Sequence, residues 1–308
     1  MLCSLLFAPG GLTEPYAKFL LATSILFCAG LAEDLGWHQP PKVRLAAAVM
    51  ASLATIVLLD AWIPRLGIPA LDPLAGHWAT GAALTIFVVT GISNGFNLID
   101  GVNGLAGIAA LCATVALTMI ASNAGYEEMV LLASMIGFSI LGFLLLNYPF
   151  GKIFLGDAGA YTLGFVLSWF GISILLNSTS VTPWAILLCF FWPVADTVLA
   201  IYRRKRQKRA AMQPDRLHAH HMVMRALERR VFREKGRQIV NPLTTLILVP
   251  FVAAPPLTGV LLWDQTLPAF IAFVAFSLVF FGSYRIAATA LKTRQPSLGL
   301  LTVRTDSQ

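Results

Sequence analysis

Nine stretches of this chain are apolar for long enough to cross a bilayer, and nothing else about the sequence limits its fold so severely. They are residues 19–32, 46–63, 78–92, 105–121, 129–146, 161–176, 183–202, 243–262 and 267–286. A hydrocarbon layer about 30 Å thick takes roughly 20 residues of helix at about 1.5 Å each, so the first and third are short but of the right kind. Residues 1–9 are apolar too, too few to span, and read as the tail of a tenth segment; they have neither the charged n-region nor the small-residue cleavage site of a signal peptide. Composition excludes the alternative of a single water-soluble domain. Of 308 residues, 57% are hydrophobic and 12% charged, about half the usual charged share, and the mean hydropathy is +0.75. The expected fold class is all-α: a polytopic integral membrane protein of about nine to ten transmembrane helices. The four cysteines (Cys3, Cys28, Cys112, Cys189) lie in apolar stretches without CxxC spacing, which predicts core packing and no disulfide framework or thiolate metal site.

Basic residues set the orientation. Taking the connections alternately, one side holds Lys42, Arg44, Lys152, Arg285, Lys292, Arg294, Arg304 and the thirteen Lys/Arg between Arg203 and Arg237. The other holds Lys18 and Arg65. By the positive-inside rule the first side is cytoplasmic, and a miscounted helix would scramble the partition. The chain reads as one transmembrane domain over 1–308, with a basic cytoplasmic loop at 203–241 and a cytoplasmic tail at 287–308. Three readings of the basic loop stay open: an anchor on anionic headgroups, attraction of a phosphorylated substrate, or a nucleic-acid patch. The last lacks aromatic interleaving, so no nucleic-acid partner is expected.

Charged and amide side chains are costly near lipid and usually functional where they cluster. Here they gather on the cytoplasmic side. Glu33 and Asp34 end the first span. Asn94, Asn97, Asp100 and Asn103 recur every third residue in GISNGFNLIDGVNGLAG, a spacing that lines them along one drifting helix face. Asp157 lies in NYPFGKIFLGDAGAYTLGF, where Gly156 and Gly159 would let backbone approach a phosphate at a helix start. Asp196 lies in FFWPVADTVLAIYRR and has two readings, a site acid or a helix-holding partner of Tyr202, Arg203 or Arg204. His218, His220 and His221 come from PDRLHAHH. Asp60, Asp72, His77, Glu127, Glu128 and Asp264, on the opposite side, read as solvated loop residues. Carboxylates and amides suit Mg²⁺ with waters and substrate phosphates, and a basic loop beside them suits diphosphate chemistry. No P-loop, GxGxxG or GxSxG pattern is present.

The four segments NGFNLIDGVNGLAG, NYPFGKIFLGDAGAYTLGF, PVADTVLAIYRR and PDRLHAHH, in this order, resemble the polyprenyl-phosphate N-acetylhexosaminyl-1-phosphate transferases, which include the MraY and WecA types. The His-x-His-His form is similar to the WecA-type branch. The resemblance implies a Mg²⁺-dependent enzyme (Mn²⁺ being the alternative ion) of the bacterial cytoplasmic membrane, with its active site facing the cytoplasm. It would pass a sugar 1-phosphate from a UDP-N-acetylhexosamine to undecaprenyl or another polyprenyl phosphate, releasing UMP, for envelope polysaccharide synthesis. By motif it implies Asp157 as metal ligand with Asn97, and Asp34 with Glu33 as the acid pair that binds or deprotonates the lipid phosphate. Asn97 and Asp100 match the polar pair meeting the uridine-diphosphate end, and Asp100 and the three histidines join the catalytic set. Phe154 matches an aromatic that packs on uracil. Asn94, Asn103, Lys42, Arg203 and Arg204 complete the substrate-binding set. Membrane lipids and a homodimer are the further partners it raises. Glu33 stands where the family has Asp, Asn103 stands where it commonly has a second Asp, and the chain begins within the family's second span. The competing functions are an inactive truncated homologue acting as a scaffold and a membrane transporter.

Overall fold

The computed structural model describes residues 13–206, 218–228 and 236–292. Among these there are twelve helices and no strand. The helices are α1 (Thr13–Asp34), α2 (Pro41–Leu59), α3 (Asp72–Gly76), α4 (Trp78–Ile99), α5 (Leu105–Asn123), α6 (Glu127–Asn147), α7 (Gly156–Asn177), α8 (Pro183–Cys189), α9 (Phe191–Arg206), α10 (Ala219–Leu227), α11 (Arg237–Leu261) and α12 (Thr266–Lys292). Eight of them (α1, α2, α4, α5, α6, α7, α11 and α12) are long and apolar enough to cross a membrane, and α8 with α9 forms a ninth candidate bent by 79°. The all-α polytopic class is confirmed. Residues 1–12, expected to hold the tail of a tenth segment, lie outside the described residues, as do 207–217, 229–235 and 293–308.

Sequence explains the break in the seventh span. Pro193 has no N–H to give to Cys189, and its ring opposes that carbonyl, so α8 stops there and α9 restarts at Phe191. α11 carries Pro242, Pro250, Pro255 and Pro256 yet runs for 25 residues. Pro242 falls early in the helix, and membrane helices tolerate the others where neighbouring helices, hydroxyl side chains or local backbone adjustment satisfy the carbonyls they free.

α7 is the centre of the bundle. Of its membrane-length window 78% is buried, against 11% for α12. It packs on α1, α4 and α5, while α4 packs in turn on α2 and α9, and α11 on α5 and α8. Phe19 of α1 stacks on Phe165 of α7 with centroids 5.9 Å apart, and Phe96, Leu105 and Leu117 are fully buried beside them. The outside is equally apolar: Phe87, Phe138 and Leu145 are 78%, 73% and 82% exposed. Such a belt belongs in lipid, not water. Of the cysteines, Cys189 is buried and Cys112 half-buried as expected, but Cys28 is exposed on the outer surface. Cys3 lies outside the described residues.

Both ends of α7 are tied by charge to other parts of the chain, α1 at one and the α2–α3 connection at the other. At its C-terminus Arg65 donates to the carbonyls of Leu175, Ser178 and Val181 at 2.8, 2.7 and 2.6 Å, satisfying acceptors the helix leaves open. Asp72, expected to be a solvated loop residue, instead accepts the N–H groups of Leu66 and Gly67 at 2.6 and 2.9 Å, with Ile68 farther at 3.4 Å. The basic partition is reproduced among the described residues. Lys42, Arg44, Lys152, Arg203, Arg204 and Arg285 sit at the end where α1 and α4 finish and α2 and α7 begin. Several boundaries move. α1, α2, α7 and α11 begin earlier than expected, at Thr13, Pro41, Gly156 and Arg237, and α10 lies within the expected loop 203–241. α12 continues through 287–292, which were expected to begin the tail, and α4 continues to Ile99, so Asn94 and Asn97 are helical.

Candidate active site

The end of the bundle with the basic residues brings the acids together. Gly30 allows it: a methyl there would stand 2.6 Å from the backbone of Ala158, so α1 and α7 touch main chain to main chain. Four residues later Asp34 reaches the start of α7 and accepts the N–H groups of Asp157 at 2.8 Å and Ala158 at 2.9 Å. A carboxylate at a helix N-terminus satisfies orphan donors and meets the positive end of the dipole. Gly156 closes the turn with φ +67°, and any Cβ there would meet the Asp34 carboxylate at 2.6 Å. The anion expected at this helix start is therefore the chain's own Asp34.

Asp157 projects from the same turn and pairs with Arg44 of α2. Arg44 also lies 3.6 Å from Glu33, and Glu33 accepts the Gln39 N–H. Arg44 is the residue that sequence reasoning missed. It entered only as a topology charge, because its partners lie 11 and 113 positions away and no local pattern links them. Its Nε is buried without a hydrogen-bond partner among the described residues.

Asp100 follows the last turn of α4 and has no cation or donor on its carboxylate among the described residues. Burial first, then the Asp157 and Asp34 charges, push it up to about 6. Asn97 lies one turn before it, and Asn94 accepts a long 3.4 Å hydrogen bond from Tyr161 of α7. Asn103 donates through its side chain to Pro149 O at 3.0 Å. Its backbone is held by Asn241 and Thr245 of α11 at 2.7 and 2.6 Å. Asn147, buried at the end of α6, accepts the Gly104 N–H at 2.7 Å and donates to Ile153 O at 2.7 Å. Asn103 thus braces the turn after Asp100 against the α6–α7 connection. Phe154 on that connection is 76% exposed, and Lys42 is exposed at the start of α2.

The histidines arrive at the start of α10 and meet Asp196 of α9. Asp196, fully buried, has neither Tyr202, Arg203 nor Arg204 as its hydrogen-bonded partner. It meets His218 Nδ1 at 2.6 Å and the Ala219 N–H at 3.1 Å. His220 is buried, with its ring centroid 5.7 Å from that of His218 and 4.1 Å from that of His221. A methyl on Gly101 would land on His220 Nε2, so the triad lies against the residue that follows Asp100. Burial first, then His221 and His218, press His220 down to about 3, with Asp196 opposing, and both its nitrogens lack partners among the described residues. Arg203, expected to bind substrate, is buried with its Cζ 5.3 Å above the Tyr284 ring of α12. Arg204 is half-buried on the same helix end. Residues 214–217 of the PDRLHAHH motif lie outside the described residues.

The donor set suits a hard divalent cation. Of the four acids, Glu33 and Asp157 share the Arg44 guanidinium, Asp34 is taken up by the start of α7, and Asp100 lies near Asp157 and Asp34 with no cation beside it among the described residues. Among the described residues no three His, Cys, Asp or Glu side chains form a ready metal cage. Mg²⁺ does not need one, since it typically takes one or two carboxylates and fills its shell with water and phosphate. Asp157 with Asn97, beside Asp100, would supply such oxygens.

Comparison with known proteins follows the same geometry. The glycosyl transferase family 4 model matches residues 16–175, the portion that contains Glu33, Asp34, Arg44, Asp100 and Asp157. The undecaprenyl-phosphate alpha-N-acetylglucosaminyl 1-phosphate transferase of Salmonella typhi is 30% identical over 229 residues, 70% of this chain, and the match spans 61% of that relative's length. The protein of the same name from Escherichia coli (strain K12) is 28% identical over 285 residues, 87% of this chain and 71% of its own. With a matched segment that holds all four acids and their arginine, the chain belongs to glycosyl transferase family 4.

Proposed function

We propose that this chain transfers an N-acetylhexosamine 1-phosphate, N-acetylglucosamine first among them, from a UDP-sugar to undecaprenyl or a related polyprenyl phosphate. A lipid-phosphate oxygen attacks the sugar-proximal phosphorus, the bond from that phosphorus to the oxygen bridging the two phosphates breaks, and UMP leaves. The observation that carries the reading is the meeting of Asp34, Asp100, Asp157 and Arg44 from four separate helix ends, with the histidine triad against Gly101. The names of the relatives support the same reaction class. The polar residues gather at one end of the bundle and not at its middle, which favours a boundary enzyme over a transporter.

Each side chain has work in this scheme. Asp34 fixes the start of α7 and so aims Asp157. Arg44, held between Glu33 and Asp157, is the donor placed for the diphosphate oxygens, a geometry that a fork-shaped guanidinium serves well. Mg²⁺, when bound by Asp157 with Asn97 beside Asp100, would neutralise the charge that develops on the leaving UMP. His218, His220 and His221, against Gly101 beside Asp100, are phosphate contacts, and exposed Phe154 offers a ring to uracil. The basic end faces the cytoplasm of the inner membrane by the positive-inside rule, where nucleotide sugars are found.

The test is direct. Purified protein with Mg²⁺, undecaprenyl phosphate and UDP-N-acetylglucosamine should release UMP, and EDTA should stop the release until Mg²⁺ is restored. A preparation that releases none from any UDP-N-acetylhexosamine, while the E. coli relative does so in the same assay, would end this reading.

A further inference from the structure

Among the described residues Asp196 is the one acid that is buried, with no solvent exposure at all, and its two oxygens meet His218 and Ala219 at the start of α10. Oδ2 stands 2.6 Å from His218 Nδ1, and Oδ1 accepts the Ala219 N–H at 3.1 Å. Its position is set deeper in the bundle. α9 lies against α4 closely enough that a methyl on Gly95 would stand 2.8 Å from Pro193 O and 2.9 Å from Thr197 Oγ1, the residues flanking the Asp196 turn. The carboxylate therefore belongs to the rigid part of the molecule, and the histidine belongs to the segment that must be brought to the site.

A buried carboxylate against one imidazole nitrogen does two things. It favours the tautomer with the proton on Nδ1, and it orients the ring so that the second nitrogen is presented elsewhere. No donor or acceptor among the described residues meets His218 Nε2, and the ring lies nearly parallel to His220, 12° between planes. His220 in turn abuts Gly101, beside Asp100. The chain Asp196, His218, His220, Gly101 links the fixed helix α9 to the acid cluster.

We propose that Asp196 is a positioning residue for the transfer reaction, holding His218 with its Nδ1–H inward so that Nε2, left with its lone pair, accepts the hydrogen bond of a protonated phosphate oxygen. This rests on the transferase reading above, and it adds a residue outside the matched segment 16–175 to the working site.

Two measurements decide it. With ¹⁵N-histidine protein in nanodiscs, the His218 shifts should report a protonated Nδ1 in the wild type and a protonated Nε2 in Asp196→Asn, whose amide donates where the carboxylate accepted. UMP release by Asp196→Asn should fall about 100-fold in kcat, the size of a displaced proton-carrying group, with KM for the UDP-sugar changed by less than about twofold. In a His218→Gln background the same substitution should change kcat by less than about threefold, because its effect runs through that ring. An equal loss in both backgrounds would overturn the proposal and leave Asp196 a packing residue. A wild-type His218 with its neutral proton on Nε2 would overturn it too. The shifts need no substrate. If no preparation releases UMP, the transferase reading fails on its own, and the nitrogen shifts alone decide whether the dyad is built as described.

Discussion

The two ends of this bundle use the same residue types to opposite effect. At the end away from the histidines, Asp72 takes backbone amides and Arg65 gives its guanidinium to three carbonyls, so both are consumed by the main chain. At the other end Asp34 is consumed in the same way by α7, but its neighbours are not. Asp100 has no donor, Arg44 has a buried Nε without a partner, and His220 has two unpartnered nitrogens, among the described residues. Buried polar groups are nearly always satisfied in folded proteins. A set of ionisable groups left open at one end, beside an end where the Asp72 carboxylate and the Arg65 guanidinium are both taken up by the main chain, separates a site from a scaffold better than counting charges does.

That contrast breaks most easily at the acids. Asp157→Ala should lower UMP release about 1,000-fold, the range seen when charge-stabilising groups are deleted, with the protein still folded. Asp72→Ala should leave release within about threefold and instead lower Tm, since it leaves amides unpaired at a cost of about 1–3 kcal/mol. Parallel rate and thermal-unfolding measurements that gave both variants the same profile would mean the two ends are not different in kind. The arginines come next. Arg44→Ala should cost about 100-fold in rate, with Arg44→Lys recovering only part because a point charge cannot replace a fork. Arg65→Ala should act on unfolding alone, by about 3 kcal/mol, read as a fall in midpoint at unchanged rate. The smallest effect tests the seam between the acids and the histidines. Gly101→Ala drives a methyl into His220 and should reduce the rate about tenfold through misplacement. Gly125→Ala, at φ +72° with nothing near it, should cost only about 1–2 kcal/mol of backbone strain. Equal rates for the two would separate the histidines from the chemistry.

Much of this was legible in one dimension. Span length and apolarity depend on bilayer thickness and helix rise, so the nine stretches could be counted from the sequence, and the charge partition followed from the same count. Residues near one another in sequence, such as Glu33 with Asp34 or Asn97 with Asp100, announced themselves through spacing. The acids, amides and histidines were rightly expected at one end. The misreadings share a cause. Arg44 and Asp72 acquired their roles, and Asn103 its bracing bonds, from partners that only folding brings within reach, and of the two readings of Asp196 the helix-holding one looked to Tyr202, Arg203 or Arg204 on its own helix when the partner is His218, 22 positions on.

What the chain alone determined is therefore its class, its span count and the identity of the groups available for chemistry, because each depends on local composition against a fixed bilayer. Tertiary structure decided which of those groups are used up and which remain open. A hydrogen bond acts over about 3 Å, and no spacing rule says whether an aspartate will meet an amide, an arginine or nothing until helices distant in sequence have packed.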